Sequence, residues 1–153
     1  MAAWGEPRST LDVDLAVWAE ADRLAESVAC LCGRFQSRTT EPLRFVETTR
    51  VLPLEAASGI RLDIVFGLLP LQRLAIQRAI RKTIAGREIP VAAVEDLVLM
   101  KLVSERPKDT DDARALLRRF RTSLDHSYLV PKLEELAREL ARPDIIEMLR
   151  TES

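Results

Sequence analysis

The stretch DVDLAV at residues 12–17 alternates acidic and apolar side chains. Alternate residues of a β-strand point to opposite faces, so Asp12 and Asp14 share one face while the apolar residues occupy the other. Adjacent carboxylates repel each other unless a cation neutralises them, and such oxygen ligands suit Mg²⁺ or Mn²⁺. The pair is also typical of a solvated edge strand, and on its own it favours that simpler interpretation.

The run IRLDIVF at residues 60–66 alternates in the same way and places Asp63 at the centre of an otherwise apolar strand. Asp63 shares its face with Arg61, so a simple ion pair at the sheet surface would explain it. If this strand lies beside the first, however, Asp63 joins Asp12 and Asp14 on a common face. Three carboxylates can hold two divalent cations, which is the arrangement that two-metal phosphoryl transfer needs.

Helix and strand signals alternate over the first 93 residues. Apolar residues at helical spacing predict a helix over residues 19–33. Residues 34–52 favour one or two strands. Three apolar residues mark the second of these strands: Leu43, Phe45 and Val51. Residues 70–82 predict a basic helix with proline in its first turn, and residues 88–92 predict a short strand. A solvated surface explains that basic helix better than contact with RNA does.

From residue 94 onward the pattern is helical throughout. Residues 94–104 are apolar nearly all round, which predicts a buried helix. Residues 109–121 and 131–141 are amphipathic, and a short helix follows Pro143. We therefore expect one α/β (α+β) domain over residues 1–153. Its first 93 residues would form a mixed β-sheet flanked by helices, and residues 94–153 would form a helical C-terminal tail.

Composition excludes several classes of protein. The 153 residues include 23 Lys and Arg against 24 Asp and Glu, and this balance argues against binding nucleic acid or anionic membranes through bulk charge. No apolar stretch reaches the length of a membrane span, and the N-terminus lacks the apolar core of a signal peptide. Cys30 and Cys32 lie two residues apart on a predicted helix and cannot easily bridge, so we expect a reducing, cytoplasmic environment.

Three segments carry a family resemblance: AAWGEPRSTLDVDLAV at residues 2–17, IRLDIVFG at 60–67 and VAAVEDLVLMKLVSERPKDTDDARALL at 91–117. They resemble, in order and spacing, the motifs of small prokaryotic AbiEii-like toxins in the polymerase-β-type nucleotidyltransferase superfamily. The resemblance implies the nucleotidyltransferase fold. It also implies an enzyme that uses Mg²⁺ or Mn²⁺ to transfer a nucleoside monophosphate from an NTP to a hydroxyl of a protein, RNA or small molecule.

The same resemblance assigns residues and partners. Asp12, Asp14 and Asp63 would be the metal ligands and catalytic acids. Arg8 and Thr10, just before the acids, would contact phosphate or shape the turn, although a surface charge and an ordinary turn residue explain them as well. Many proteins of this type are toxins of toxin–antitoxin or phage-defence systems. An antitoxin is therefore an expected partner, and a membrane is not.

The third segment adds basic residues. Lys101 would face the nucleotide or act in catalysis, although a lysine that reaches out from an apolar helix to solvent is an equal alternative. Lys108 would contact phosphate. Asp109 is well placed to cap the N-terminus of the following helix, and Asp112 falls in the first turn of that helix, where an acid suits the helix dipole. The resemblance offers an active-site role as the alternative, although capping explains Asp109 fully and Asp112 in part.

The resemblance is incomplete at the N-terminus. The family normally opens with a strand and a Gly-Gly or Gly-Ser turn, whereas this sequence begins at Met1, within the helix that follows them. Either the start is misplaced and upstream residues are missing, or the protein is shortened. A shortened form would bind nucleotide more weakly, because only small residues let the backbone approach a triphosphate. It would also expose a sheet edge that a homodimer could cover. Two functions therefore remain open: an active nucleotidyltransferase, or a catalytically degenerate module of the same fold that binds a nucleotide or protein.

Overall fold

The computed structural model describes residue 4 and residues 12–104 and 106–152, so Arg8 and Thr10 lie outside the described residues. The chain divides into two compact units, residues 1–76 and residues 77–153. The mixed α+β class expected from the sequence is confirmed, since both units combine helices with a β-sheet. Organisation as a single domain that changes character at residue 94 stays a prediction.

The first unit is built on a four-stranded mixed sheet. Its elements are β1 (Asp12–Val17), α1 (Leu24–Cys32), β2 (Gln36–Ser37), α2 (Pro42–Thr49), β3 (Val51–Glu55), β4 (Arg61–Phe66) and α3 (Pro70–Gln77), which ends just past the unit boundary. The strand order is β1-β4-β3-β2. Strand β1 runs parallel to β4, whereas β3 is antiparallel to both β4 and β2. The predicted strands at 12–17 and 60–66 are confirmed and lie side by side.

Alternation along the strands gives this sheet two chemically different faces. One face carries four buried apolar residues, Leu52, Leu54, Ile64 and Phe66. They form one core with residues of α1 and α2: Leu24, Val28 and Val46. Since side chains of a strand alternate, the polar residues between them, including Asp63, point to the opposite face. We call that opposite side the acidic face; on β1 it carries Asp12 and Asp14, and on β4 it carries Arg61 and Asp63.

The predicted second strand near Leu43 and Phe45 is wrong, because residues 42–49 form α2. Proline in the first turn suits a helix start, where the missing N–H costs nothing. The pair Leu43 and Phe45 resembles strand alternation, yet both side chains are exposed and the fully buried residue is Val46. Threonine usually favours strands, but here it lies at the end of a helix. Its hydroxyl donates to a backbone carbonyl one turn earlier, as Thr49 does to Phe45.

The second unit combines a hairpin with four helices. Its elements are β5 (Ile80–Ile84), β6 (Arg87–Val91), α4 (Val94–Val103), α5 (Pro107–Phe120), α6 (His126–Glu139) and α7 (Asp144–Glu152). Helix α4 packs against α5 and α6, and α7 packs against the same two helices. Their contacts bury a second apolar core, which includes Leu99, Leu116 and Leu133. Within the described part of the chain, every helix is too short or too polar to cross a bilayer.

The predicted basic helix over residues 70–82 is correct only as far as Gln77, where α3 ends. The next residues form β5, which pairs with β6 through a two-residue turn at Ala85 and Gly86. Both turn residues have positive φ, 50° and 74°, the conformation of a tight hairpin turn, and glycine adopts it at little cost. Pairing with β6 therefore stops the helix. Its four basic residues, Arg73, Arg78, Arg81 and Lys82, consequently form no common helical face.

A buried ionic cluster ties the segment before β5 to two helices of the second unit. The carboxylate of Asp96 on α4 is fully buried and accepts hydrogen bonds from Arg78 Nε at 3.1 Å and from the Tyr128 hydroxyl at 2.6 Å. The Arg78 guanidinium also stacks on the Tyr128 ring, 3.6 Å from its centroid. Burial and the bond to Asp96 raise the pKa of Tyr128, so its hydroxyl stays protonated, and able to donate, well above neutral pH.

Replacing Asp96 should therefore destabilise the second unit. We expect Asp96→Ala to lower the free energy of unfolding by about 3 kcal/mol, because it leaves a buried donor and a charge without their partner. Urea denaturation followed by circular dichroism measures the loss. Glu88→Ala is the matched control, since Glu88 pairs with Arg81 on the surface and its removal should cost less than about 0.5 kcal/mol. Equal effects of the two substitutions would contradict this account of the cluster.

Candidate functional site

Strand pairing brings the three predicted acids together on the acidic face. In the parallel ladder of β1 and β4, Asp14 is the direct partner of Asp63, and Asp12 is the partner of Arg61. Partners in a parallel ladder point to the same side of the sheet, as do residues two apart on one strand. Asp12, Asp14 and Asp63 therefore share one face, and helices α1 and α2 pack on the other.

The charge that balances Asp63 comes from a residue that the sequence did not single out. Arg38, which follows β2, has Nη1 3.8 Å from Asp63 Oδ1. Among the described residues Asp63 thus forms its ion pair with Arg38 and not with its neighbour Arg61. Both partners remain about one-third exposed (35% and 36%), so solvent screens the interaction. Asp12 and Asp14 are more exposed still.

The donor set on the acidic face fits a divalent cation in chemistry and in position along the strands, because three carboxylates are hard oxygen ligands. As the side chains are placed, however, no three Asp, Glu, His or Cys residues of the described ranges converge on a common point. Strand register therefore brings the backbone positions of Asp12, Asp14 and Asp63 together, but their carboxylate oxygens do not point at one common site.

In the second unit, Lys101 belongs to a separate cluster of charges. Its ammonium donates to Asp109 Oδ1 at 2.5 Å and lies 3.3 Å from Asp112 Oδ2. Ser104 also donates to Asp109, at 2.7 Å. The lysine is 23% exposed and both carboxylates are buried, so its charge is directed at these two acids and not simply toward solvent. The predicted contact of Lys101 with a nucleotide stays a prediction.

The expectation that Asp109 caps a helix is wrong. Helix α5 begins at Pro107 with Arg106 at the capping position, so Asp109 lies inside the first turn and Asp112 one turn later. Residues three apart on a helix share a face, and this spacing directs both acids at Lys101. Burial raises the pKa of Asp109, but hydrogen bonds from Lys101 and Ser104 outweigh it and hold that pKa below its ordinary value.

The sequence pattern indicated some of the residues that form these ion pairs but not others. The spacing of Lys101, Asp109 and Asp112 was visible in the third segment, although the ion pairs were not. Lys108 is exposed on α5, which agrees with but does not test a phosphate contact. No periodicity links Arg38 to Asp63, 25 positions away. Only the sheet order, with β3 between β2 and β4, brings them within reach.

A family model and a solved structure are similar to this chain. A family model described as "Nucleotidyl transferase AbiEii toxin, Type IV TA system" matches residues 1–151. Among solved structures, an antigenic nucleotidyltransferase-like protein from Paracoccidioides brasiliensis is similar at 19% identity. The alignment covers 97% of this chain and 79% of that chain, with a TM-score of 0.46. No curated protein matches the chain. The family match includes every acid discussed above as well as Lys101.

The cluster around Lys101 predicts how stability depends on pH. A carboxyl whose pKa is lower in the folded state stabilises the fold above its unfolded pKa, and this contribution disappears as pH falls through the folded value. Wild type should therefore exceed Asp109→Asn in unfolding free energy at pH 7, and the difference should shrink below about pH 4. Urea titrations at a series of pH values measure it. Asp111→Asn, an exposed change on the same helix, is the matched control and should cost less than about 0.5 kcal/mol at pH 7.

Proposed function

The chain belongs to the AbiEii nucleotidyl transferase toxin family, and from that premise we propose that it transfers a nucleoside monophosphate from an NTP to a hydroxyl acceptor. The observation that supports this proposal is the parallel register that makes Asp14 the neighbour of Asp63, with Asp12 on the same face. A pair of acids on one exposed strand has many explanations. An acid at the matching position of the adjacent strand is what a site for divalent cations and triphosphate requires.

In this proposal Asp12, Asp14 and Asp63 hold Mg²⁺ or Mn²⁺ on the acidic face. The cation would supply charge neutralisation for the triphosphate and would favour deprotonation of the attacking hydroxyl. Backbone pairing with β4 fixes the positions of Asp12 and Asp14, and the apolar core beneath β4 also fixes that of Asp63. Modest rotation of carboxylates would then complete the ligand set, whereas no backbone rearrangement would be needed. The acceptor would be a hydroxyl of a protein, RNA or small molecule.

The remaining assignments rest on the resemblance. Lys101 would contact the nucleotide or act in catalysis, and Lys108, Arg8 and Thr10 would contact phosphate or support the neighbouring backbone. As a member of a toxin family, the protein would act in the cytoplasm and be held in check by an antitoxin. A homodimer is a further proposal, since β1 lies at the sheet edge of the described residues with the apolar side chains of Val13 and Leu15 exposed.

A second candidate function is a catalytically degenerate module that binds a nucleotide or a protein without turnover. One observation favours it: the described side chains form no three-ligand metal group. The two candidates differ in whether the acids bind a cation strongly enough to support transfer. Activity measurements with acid variants separate them.

Removing one acid should abolish transfer. With labelled NTPs, Mg²⁺ and candidate acceptors, we expect Asp63→Ala and Asp12→Ala to reduce label transfer by about 10²–10³-fold, because the charge stabilisation of the transition state is lost. Asp22→Ala is the matched control: Asp22 is an exposed acid of the same unit on the turn that leads into α1, and its removal should leave the rate unchanged.

Two outcomes would decide against the enzyme. Transfer that survives both acid substitutions would exclude the proposed site. If no transfer occurs with any acceptor while an NTP still raises the melting temperature of the wild-type protein, the degenerate binding module gains support.

Lys101 needs a test that separates function from folding, because Lys101→Met removes the cation that the buried acids Asp109 and Asp112 share. Arg106 would still pair with Asp109 at 2.9 Å. We expect this single variant to lose both transfer and several degrees of melting temperature. The balanced variant Lys101→Met/Asp109→Asn/Asp112→Asn removes all three charges and should recover most of the stability. Transfer should remain absent in the balanced variant if Lys101 acts on the nucleotide. Recovery of transfer together with stability would make Lys101 a structural residue only.

A further inference from the structure

Arg38 is held rigidly at its backbone. Its N–H donates to the carbonyl of Pro53 at 2.9 Å, which continues the pairing of β2 with β3 by one more bond. Proline has no backbone N–H, so Pro53 cannot donate a second hydrogen bond to β2, and the regular pairing of β2 with β3 ends here. The Ser37 hydroxyl then donates to the Thr39 carbonyl at 2.9 Å and accepts from the Thr39 N–H at 3.2 Å. The base of the Arg38 side chain is therefore fixed against the sheet.

The Arg38 guanidinium reaches the acidic face across β3. Pro53 is the direct partner of Asp63 in the antiparallel ladder, and its compact ring is the side chain that separates Arg38 from that acid. The distance of 3.8 Å between Arg38 Nη1 and Asp63 Oδ1 is too long for a hydrogen bond. A loose, solvent-screened ion pair of this kind contributes little to stability. Arg38 is thus anchored at its base and weakly held at its charged end.

A cation on the acidic face would change the partner of Arg38. A divalent ion bound by Asp63 competes with the guanidinium for the same carboxylate and repels its positive charge. Such ions usually complete their ligand set with phosphate oxygens of the substrate. A phosphate on that cation would lie close to Asp63 and hence within reach of Arg38. The guanidinium can bind a phosphate through two parallel hydrogen bonds, whereas its contact with Asp63 is a single loose ion pair. Phosphate is therefore the stronger partner for Arg38.

We propose that Arg38 is a substrate-binding residue that exchanges Asp63 for the triphosphate of the NTP when a divalent cation binds. This inference rests on the proposed function of the three acids. It assigns Arg38 two opposite effects: in the absence of substrate it competes with the cation for Asp63, and with substrate it stabilises the bound phosphates. A residue with a merely structural role would shift both affinities in the same direction or neither.

The test measures binding and does not depend on turnover. Calorimetry gives the affinity of the full chain for Mn²⁺ alone, and then for inorganic tripolyphosphate at saturating Mn²⁺, a probe that does not require the base to be known. We expect Arg38→Gln to bind Mn²⁺ about two- to fivefold more tightly, since a competing charge is removed. The same variant should bind tripolyphosphate about tenfold more weakly, since charge-assisted hydrogen bonds are lost.

Two further variants sharpen the test. Arg44→Gln is the matched control, because Arg44 is an exposed arginine on α2, which packs on the opposite face, and neither affinity should change. Arg38→Lys keeps the charge but loses the fork, so its Mn²⁺ affinity should match wild type while tripolyphosphate binding falls between wild type and Arg38→Gln. Melting temperatures of all variants report any loss of folding.

The outcomes separate this inference from its premise. If wild type binds Mn²⁺ and Asp63→Ala does not, the acids act as proposed; unchanged tripolyphosphate affinity in Arg38→Gln would then overturn the role of Arg38 alone. Weaker Mn²⁺ binding in Arg38→Gln would also overturn it, because the residue would be supporting the metal ligands. If wild type binds no Mn²⁺, or Asp63→Ala binds it equally well, the proposed metal site fails and the exchange fails with it.

Discussion

The parallel pairing of β1 with β4 is the constraint on which the rest of the candidate site depends. Backbone hydrogen bonds set the register, and the register alone makes Asp14 the neighbour of Asp63. A shift of β1 by one residue would turn Asp12 and Asp14 to the face on which α1 and α2 pack and would separate them from Asp63. Burial of Ile64 and Phe66 against α1 and α2 fixes the face to which Asp63 points, and pairing with β4 then fixes the face of Asp12 and Asp14. The same apolar packing that stabilises the unit determines the geometry of its charged surface.

Charged groups in this protein are compensated in two physically distinct ways. The carboxylate of Asp96, which pairs with Arg78 and Tyr128, is fully buried. Asp109 and Asp112, which pair with Lys101, are also buried. Such carboxylates must keep their partners, because an uncompensated charge in the interior is very costly. Asp63 and Arg38 are one-third exposed and loosely paired, so water can replace either partner at little cost. Breaking the ion pair of Asp63 with Arg38 therefore costs little free energy, whereas breaking the buried ion pairs costs much more.

Much of the fold follows from local pattern. Alternation predicted β1 and β4, and helical spacing predicted α1, α5 and α6, because each of these elements buries one regular face. The errors lie where local signals conflict. Leu43 and Phe45 alternate as in a strand, but burial of Val46 and a proline start favour a helix. The basic segment after Gln77 has helical composition, but pairing across the turn at Ala85 and Gly86 makes it a strand.

The sequence by itself determined the family, the mixed α+β class and the acids at positions 12, 14 and 63, because motif order and side-chain periodicity are properties of the chain in one dimension. The tertiary structure decided which charges meet. Asp63 pairs with Arg38 and not with Arg61, because the strand order places β2 one strand away from β4. That Lys101 meets Asp109 and Asp112 depends on where α5 begins and how it packs on α4. Ion pairs form through space, and distance along the chain carries almost no information about them.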